Sequence, residues 1–133
     1  MTDPTSPLVR HLDDVPDEEW SDPSRGGASW RTLFSADVTP TSALTTGVSS
    51  VPTGQALVRH RHVAVETYFF IEGHGVLTLG HDEYPVRAGS AVHIPSLTPH
   101  GVRNAGPTTL RFFYAFATDS FEDVAYDFVE HPG

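Results

Sequence analysis

The 133-residue chain contains no cysteine and no lysine. Without thiols it can form neither a disulfide framework nor a thiolate metal site, so any metal must be held by His, Asp or Glu. Its eight formal positive charges are all Arg and face 17 Asp and Glu, for a net charge of −9. That balance excludes an extended basic surface for nucleic acid. The acidic excess lies mostly in Asp13 to Asp22 and Asp119 to Glu130, where it reads as solvated surface. Also missing is any apolar run near the roughly 20 residues that span a bilayer. The opening MTDPTSPLVR lacks the basic-then-apolar layout of a signal peptide. These absences predict a cytoplasmic protein with neither nucleic-acid nor membrane partners. No Ser/His/Asp triad signature or phosphate-cradling glycine loop is present, which argues against nucleophilic hydrolysis and against nucleotide binding.

The length suits one domain. Residues 1–28 are rich in Pro, Asp, Ser and Gly without a clear period and read as an irregular N-terminal leader, with SDPSRGG as a joint. From Ser29 to Gly133 the pattern is that of one β-barrel domain. Strands are expected at 29–34, 43–51, 56–62, 65–72, 75–80, 83–87, 90–95, 100–104 and 108–117. PTG, EGHG, RAGS and NAGP supply turns between them. Many short strands at this spacing define an all-β sandwich or barrel. One short helical turn is expected in TDSFEDVAYDF, with Asp119 as cap and Glu122 completing a capping box.

HRHVAVETYFF, residues 60–70, places two imidazoles and a carboxylate in an apolar β-type stretch. Side chains alternate along a strand, so Arg59 and Arg61 go to solvent while His60 and His62 point inward with Ala56 and Val58. On the next strand Glu66, Tyr68 and Phe70 share one face; Val65, Thr67, Phe69 and Ile71 share the other. A hairpin joining the two strands would bring Glu66 opposite the histidine pair. Buried polar groups of this kind need a partner or a metal. His100, with Val102 and Asn104 on its face, is the best candidate for a fourth ligand. In LRFFYAFA, Arg111 marks the outward register, so Leu110, Phe112, Tyr114 and Phe116 face inward. No Arg falls on the inward register of these strands, so the lining suits an apolar or cationic small molecule. His11, His131, His74 and His81 read as surface residues, and His93 as a packed or exposed structural histidine.

Gly54, His60, His62, Glu66 and Gly73 fit the first motif of the cupin superfamily, G-x5-H-x-H-x3-E-x6-G. Gly89, Pro95, His100 and Asn104 fit the second, with Leu97 where that motif has Gly. The chain therefore resembles a small single-domain cupin. The resemblance implies a double-stranded β-helix, a jelly-roll-like barrel. It also implies one divalent transition metal (Fe, Mn, Ni, Zn or Cu) held by His60, His62, Glu66 and His100. Glu-x-Tyr at 66–68 and the closing segment FFYAFATDSFEDVAY are similar to cupin-type dimethylsulfoniopropionate lyases. That similarity implies a metal-dependent β-elimination in which the metal grips the substrate carboxylate and Tyr68 acts as general base. Phe70, Phe112, Tyr114, Phe116 and Tyr126 would line the substrate pocket, although plain core packing also accounts for Phe112 and Phe116. An Fe(II)-dependent dioxygenase, an isomerase or cyclase, and a non-catalytic binding or sensing module remain open alternatives. Trp20, Trp30, Leu33 and Phe34, with the outer face of 65–72, offer apolar surface that predicts a homodimer.

Overall fold

A computed structural model describes residues 6–129; His131 lies outside them. All nine expected strands form within two residues of their expected ends. They are β2 (Ser29–Phe34), β3 (Thr45–Val51), β4 (Ala56–Arg61), β5 (Glu66–Glu72) and β6 (His74–Leu79), followed by β7 (Asp82–Arg87), β8 (Ala91–Ile94), β9 (His100–Asn104) and β10 (Leu110–Phe116). Two-residue strands at either end, β1 (Glu18–Glu19) and β11 (Asp127–Phe128), are too short to carry a period and were not expected.

The strands form two antiparallel sheets, ordered β1-β2-β3-β10-β5-β8 and β11-β4-β9-β6-β7. Between β3 and β10 the chain changes sheet repeatedly, and only β6 and β7 are consecutive partners there. This is the jelly-roll way of burying one face of each sheet. One corner, between β5 and β6, is held by Gly73 at φ +88°, where a Cβ would come within 2.6 Å of the Thr109 carbonyl oxygen. The faces of the sheets meet over Tyr68, Phe70, Leu77, Ile94, Leu110 and Phe112, all nearly inaccessible to solvent. Each buried large apolar side chain contributes roughly 1.5–3 kcal/mol.

Three local expectations need correction. Residues 60–66 do not form a hairpin, because β4 pairs with β9 and β11 while β5 pairs with β10 and β8. Segment 62–65 instead crosses from one sheet to the other. Strict alternation also fails in β4, where Leu57 pairs with Val102 and His60 with His100. Val58 and Arg59 oppose the single residue Gly101, a bulge that leaves Leu57 rather than Ala56 or Val58 towards the core. Gly101 sits against this bulge, its Cβ position 2.9 Å from the Leu57 carbonyl oxygen. Finally, the helical turn is a 3-10 turn at Phe121–Asp123 shifted by one residue, with Ser120 as cap and the Asp123 carboxylate accepting from the Ser120 N–H at 3.2 Å. Asp119 accepts instead from the Ala43 N–H at 2.7 Å.

Leu97, at the position where the family motif has Gly, adopts φ +61°, and its N–H donates to the His62 carbonyl at 2.8 Å. The turn thus keeps its conformation with a side chain that disfavours it by roughly 1–2 kcal/mol. Because the Leu97 side chain is largely exposed, Leu97→Gly is expected to raise the melting temperature by about 2–4 °C. A lower melting temperature in a thermal scan would contradict this account of the turn.

Candidate metal centre

His60 and His100 are direct cross-strand partners in one sheet, and Glu66 begins β5 in the other. His62 lies on the crossing segment between them. All four side chains are buried. Each imidazole is oriented by a backbone carbonyl two residues away: His60 Nδ1 to Val58 at 2.8 Å, His62 Nδ1 to Ala64 at 2.9 Å, and His100 Nδ1 to Thr98 at 2.9 Å. A carbonyl only accepts, so Nδ1 carries a proton in all three rings and Nε2 is the atom each ring turns to the cluster. Burial, followed by the neighbouring His100, holds the His60 imidazole well below its ordinary pKa and hence neutral.

These Nε2 atoms meet a carboxylate. Glu66 Oε1 lies 3.1 Å from His62 Nε2 and 3.2 Å from His100 Nε2. A proton placed there would satisfy one of these contacts. A divalent cation satisfies the carboxylate and all three imidazoles at once, so the donor set fits a metal. The three histidine donor atoms lie within 4.8 Å of one another. Donors about 2.1 Å from one ion lie at most about 4.2 Å apart, so side-chain shifts below about 1 Å would close the site.

The adjoining cavity is narrow, about 30 Å³, with room for little more than one water. Glu66, Tyr68, Phe112, Tyr114, Phe116 and Tyr126 contribute to its wall. Phe70 does not; it packs behind, with its ring 5.1 Å from Phe112 and 6.1 Å from Tyr68. Tyr126 covers the histidines from the C-terminal segment, 4.8 Å from His60 and 5.4 Å from His62 between ring centroids. Tyr68 is wholly enclosed, and burial, then the Glu66 carboxylate, push its phenol well above the ordinary tyrosine pKa.

Sequence reasoning missed the other walls. Trp20, Trp30, Leu57 and Phe121 also line the cavity. Trp20 and Trp30 therefore close this chain's own barrel and do not supply the exposed surface expected of them. The only available signal was that these are the chain's two tryptophans, and no pattern connects a leader residue to a barrel mouth. His11, His74, His81 and His93 are all exposed.

The cupin domain family matches residues 47–116, and the chain belongs to that family. It is 36% identical to the dimethylsulfoniopropionate lyase DddW of Ruegeria pomeroyi over 94% of this chain and 82% of that protein. Among solved structures, the polyketide cyclase RemF of Streptomyces resistomycificus matches with a TM-score of 0.78 at 20% identity, over 95% of this chain and 87% of that one. A predicted oxalate decarboxylase of Thermotoga maritima matches with a TM-score of 0.74 at 23% identity, over 84% and 99%. These two structures share the fold and carry no argument about chemistry. No described helix is long and apolar enough to cross a membrane.

Proposed function

We propose that the protein is a metal-dependent lyase that cleaves dimethylsulfoniopropionate, with His60, His62, His100 and Glu66 as metal ligands and Tyr68 as general base. The observation that carries this reading is the junction of two unlike surfaces. Glu66, whose Oε1 meets the Nε2 atoms of His62 and His100, also forms part of the otherwise aromatic cavity wall. A zwitterion with a carboxylate at one end and a sulfonium at the other suits both: the aromatic faces would attract the cation, and a metal held by His60, His62, His100 and Glu66 would supply Lewis-acid polarisation of the carboxylate. The 36% identity to DddW along most of both chains supports the same substrate.

In the reaction, the Tyr68 oxygen takes the proton from the carbon next to the carboxylate. The electrons of that C–H bond form the new double bond, and the C–S bond breaks with its pair on sulfur. The products are acrylate and dimethyl sulfide, with Tyr68 left protonated. Because burial and Glu66 both oppose a phenolate at Tyr68, base function there depends on positive charge at the histidine cluster. Purified protein incubated with dimethylsulfoniopropionate and assayed by headspace gas chromatography is expected to release dimethyl sulfide, at equal rates with and without oxygen. Strict oxygen dependence would replace elimination with oxygenation.

The expected homodimer would use the outer face of the six-stranded sheet. Val65, Phe69 and Ile71 are exposed there, and Phe69 pairs with Phe113 on one side and Ala91 on the other. Light scattering is expected to give twice the chain mass, and Phe69→Glu the mass of a single chain. A wild-type monomer at micromolar concentration would exclude this assembly.

A further inference from the structure

One donor in the wall of the cavity has nothing to donate to, and a second has only a marginal partner. The indole Nε1 of Trp20 is buried without a hydrogen-bond partner, while the buried hydroxyl of Tyr114 has the Thr32 side chain beside it; both residues line the cavity. Tyr114 has a local explanation. Its hydroxyl lies over Gly47, 2.3 Å from where a Cβ would stand, on a register fixed by the strand pairing of Tyr114 with Gly47. Trp20 belongs to no long strand, and nothing in the sheets forces its ring inward. A buried N–H without an acceptor is uncommon in a native fold and calls for an explanation.

The ring is nonetheless firmly seated by its neighbours. Its centroid lies 4.7 Å from Trp30, 5.1 Å from Tyr126 and 5.6 Å from Phe128. The Arg25 guanidinium sits over both Trp20, at 5.2 Å, and Phe128, at 4.6 Å. The backbone that carries the ring is held by few backbone pairings, with the Thr32 hydroxyl donating to Glu18 at 2.7 Å as the side-chain tie within residues 18–25 to the sheet. β1 joins the sheet through two residue pairs, Glu18 with Trp30 and Glu19 with Ser29, and the next contact of this kind is the single bridge of Gly26 to Leu57. Short edge pairings of this sort open at low free-energy cost compared with core strands. A cavity of about 30 Å³ admits no organic substrate until something on its wall moves. Trp20, Phe121 and Tyr126 are the aromatic walls outside the long strands. The segment of Phe121 and Tyr126 leads into β11, which pairs Phe128 with His60 itself, whereas the leader pairs with no histidine.

We propose that Trp20 is a ligand-contacting specificity residue: residues 18–25 lift to admit a small carboxylate-bearing molecule and close with the Trp20 indole N–H donating to an oxygen of that carboxylate. This rests on the lyase reading for the substrate but not for the contact, since propionate presents the same carboxylate and undergoes no elimination. Arg25 stays on the outer side of the ring as the latch, and Trp20 supplies the donor.

The test uses metal-loaded full-length protein, wild type and Trp20→Phe, which keeps the aromatic packing and removes the N–H. Isothermal titration with propionate is expected to give a Kd at least about tenfold weaker for Trp20→Phe, the range for a lost hydrogen bond to a charged group. The KM for dimethylsulfoniopropionate is expected to rise similarly, with kcat within about threefold of wild type. A propionate Kd within twofold of wild type overturns the proposal, as does failure of the wild type to bind propionate. Should Trp20→Phe not fold, Trp30→Phe leaves Trp20 as the sole indole. Its emission is then expected to shift saturably with propionate, and unchanged emission overturns the proposal. Propionate binding that weakens in Trp20→Phe, without any cleavage of dimethylsulfoniopropionate by the wild type, upholds Trp20 and removes the lyase reading alone.

Discussion

Replacing Tyr68 by Phe is expected to leave metal content unchanged and to lower dimethylsulfoniopropionate cleavage by about a thousandfold, within the range for loss of a positioned general base. The separation of the two readouts follows from placement. Tyr68 lies two positions beyond Glu66 on the same face of β5 and lines the cavity, while the donor atoms of the cluster come from other side chains. The ring packs 4.3 Å from Phe112, and Phe preserves that contact. Stability is therefore expected to change by less than about 1 kcal/mol, since removing a buried hydroxyl also removes its desolvation cost. A fully active Tyr68→Phe enzyme would transfer the base function to another group, and loss of metal from this variant would make Tyr68 a structural support of the site.

His100→Ala is expected to abolish both metal binding and turnover. Apparent binding free energies of four-donor protein sites run to about 10–16 kcal/mol, so each donor carries roughly 3 kcal/mol, a hundredfold or more in affinity. His100 has a further role, since its Nε2 lies 3.2 Å from Glu66 Oε1, and it is the proposed ligand on the second motif, 34 residues from Glu66. Its loss leaves His60, His62 and Glu66 without the donor that closes one side. Elemental analysis after gel filtration is expected to find near one equivalent of metal in wild type and less than a tenth in His100→Ala. Retention of a full equivalent by the variant would show that the ion is bound elsewhere.

What the sequence made legible was whatever depends on period and spacing. Glu66, Tyr68 and Phe70 share a face because β5 is regular, and Leu110 to Phe116 alternate for the same reason. His60, His62 and His100 converge as the two motifs imply, although by another route than a hairpin. The motif encodes the distance between ligands along the chain, not which sheet each strand joins. The bulge at residues 58–59 was illegible because an extra residue inverts the alternation locally and has no residue signature there, only the close fit of Gly101 opposite. Trp20 was illegible for a different reason. Its place is set by aromatic packing against Trp30, Tyr126 and Phe128, contacts between segments that are far apart in the chain and lack periodicity. The convergence of the three histidines and Glu66 was therefore readable in advance, whereas the tryptophan wall of the adjoining cavity was not.

Anomalous diffraction from crystals of the metal-loaded protein, collected across the metal's absorption edge, tests the central claim most directly. The account predicts one strong peak per chain, within about 2.3 Å of the Nε2 atoms of His60, His62 and His100 and of a Glu66 oxygen. A peak elsewhere, or none among these four side chains at full metal loading, would contradict it.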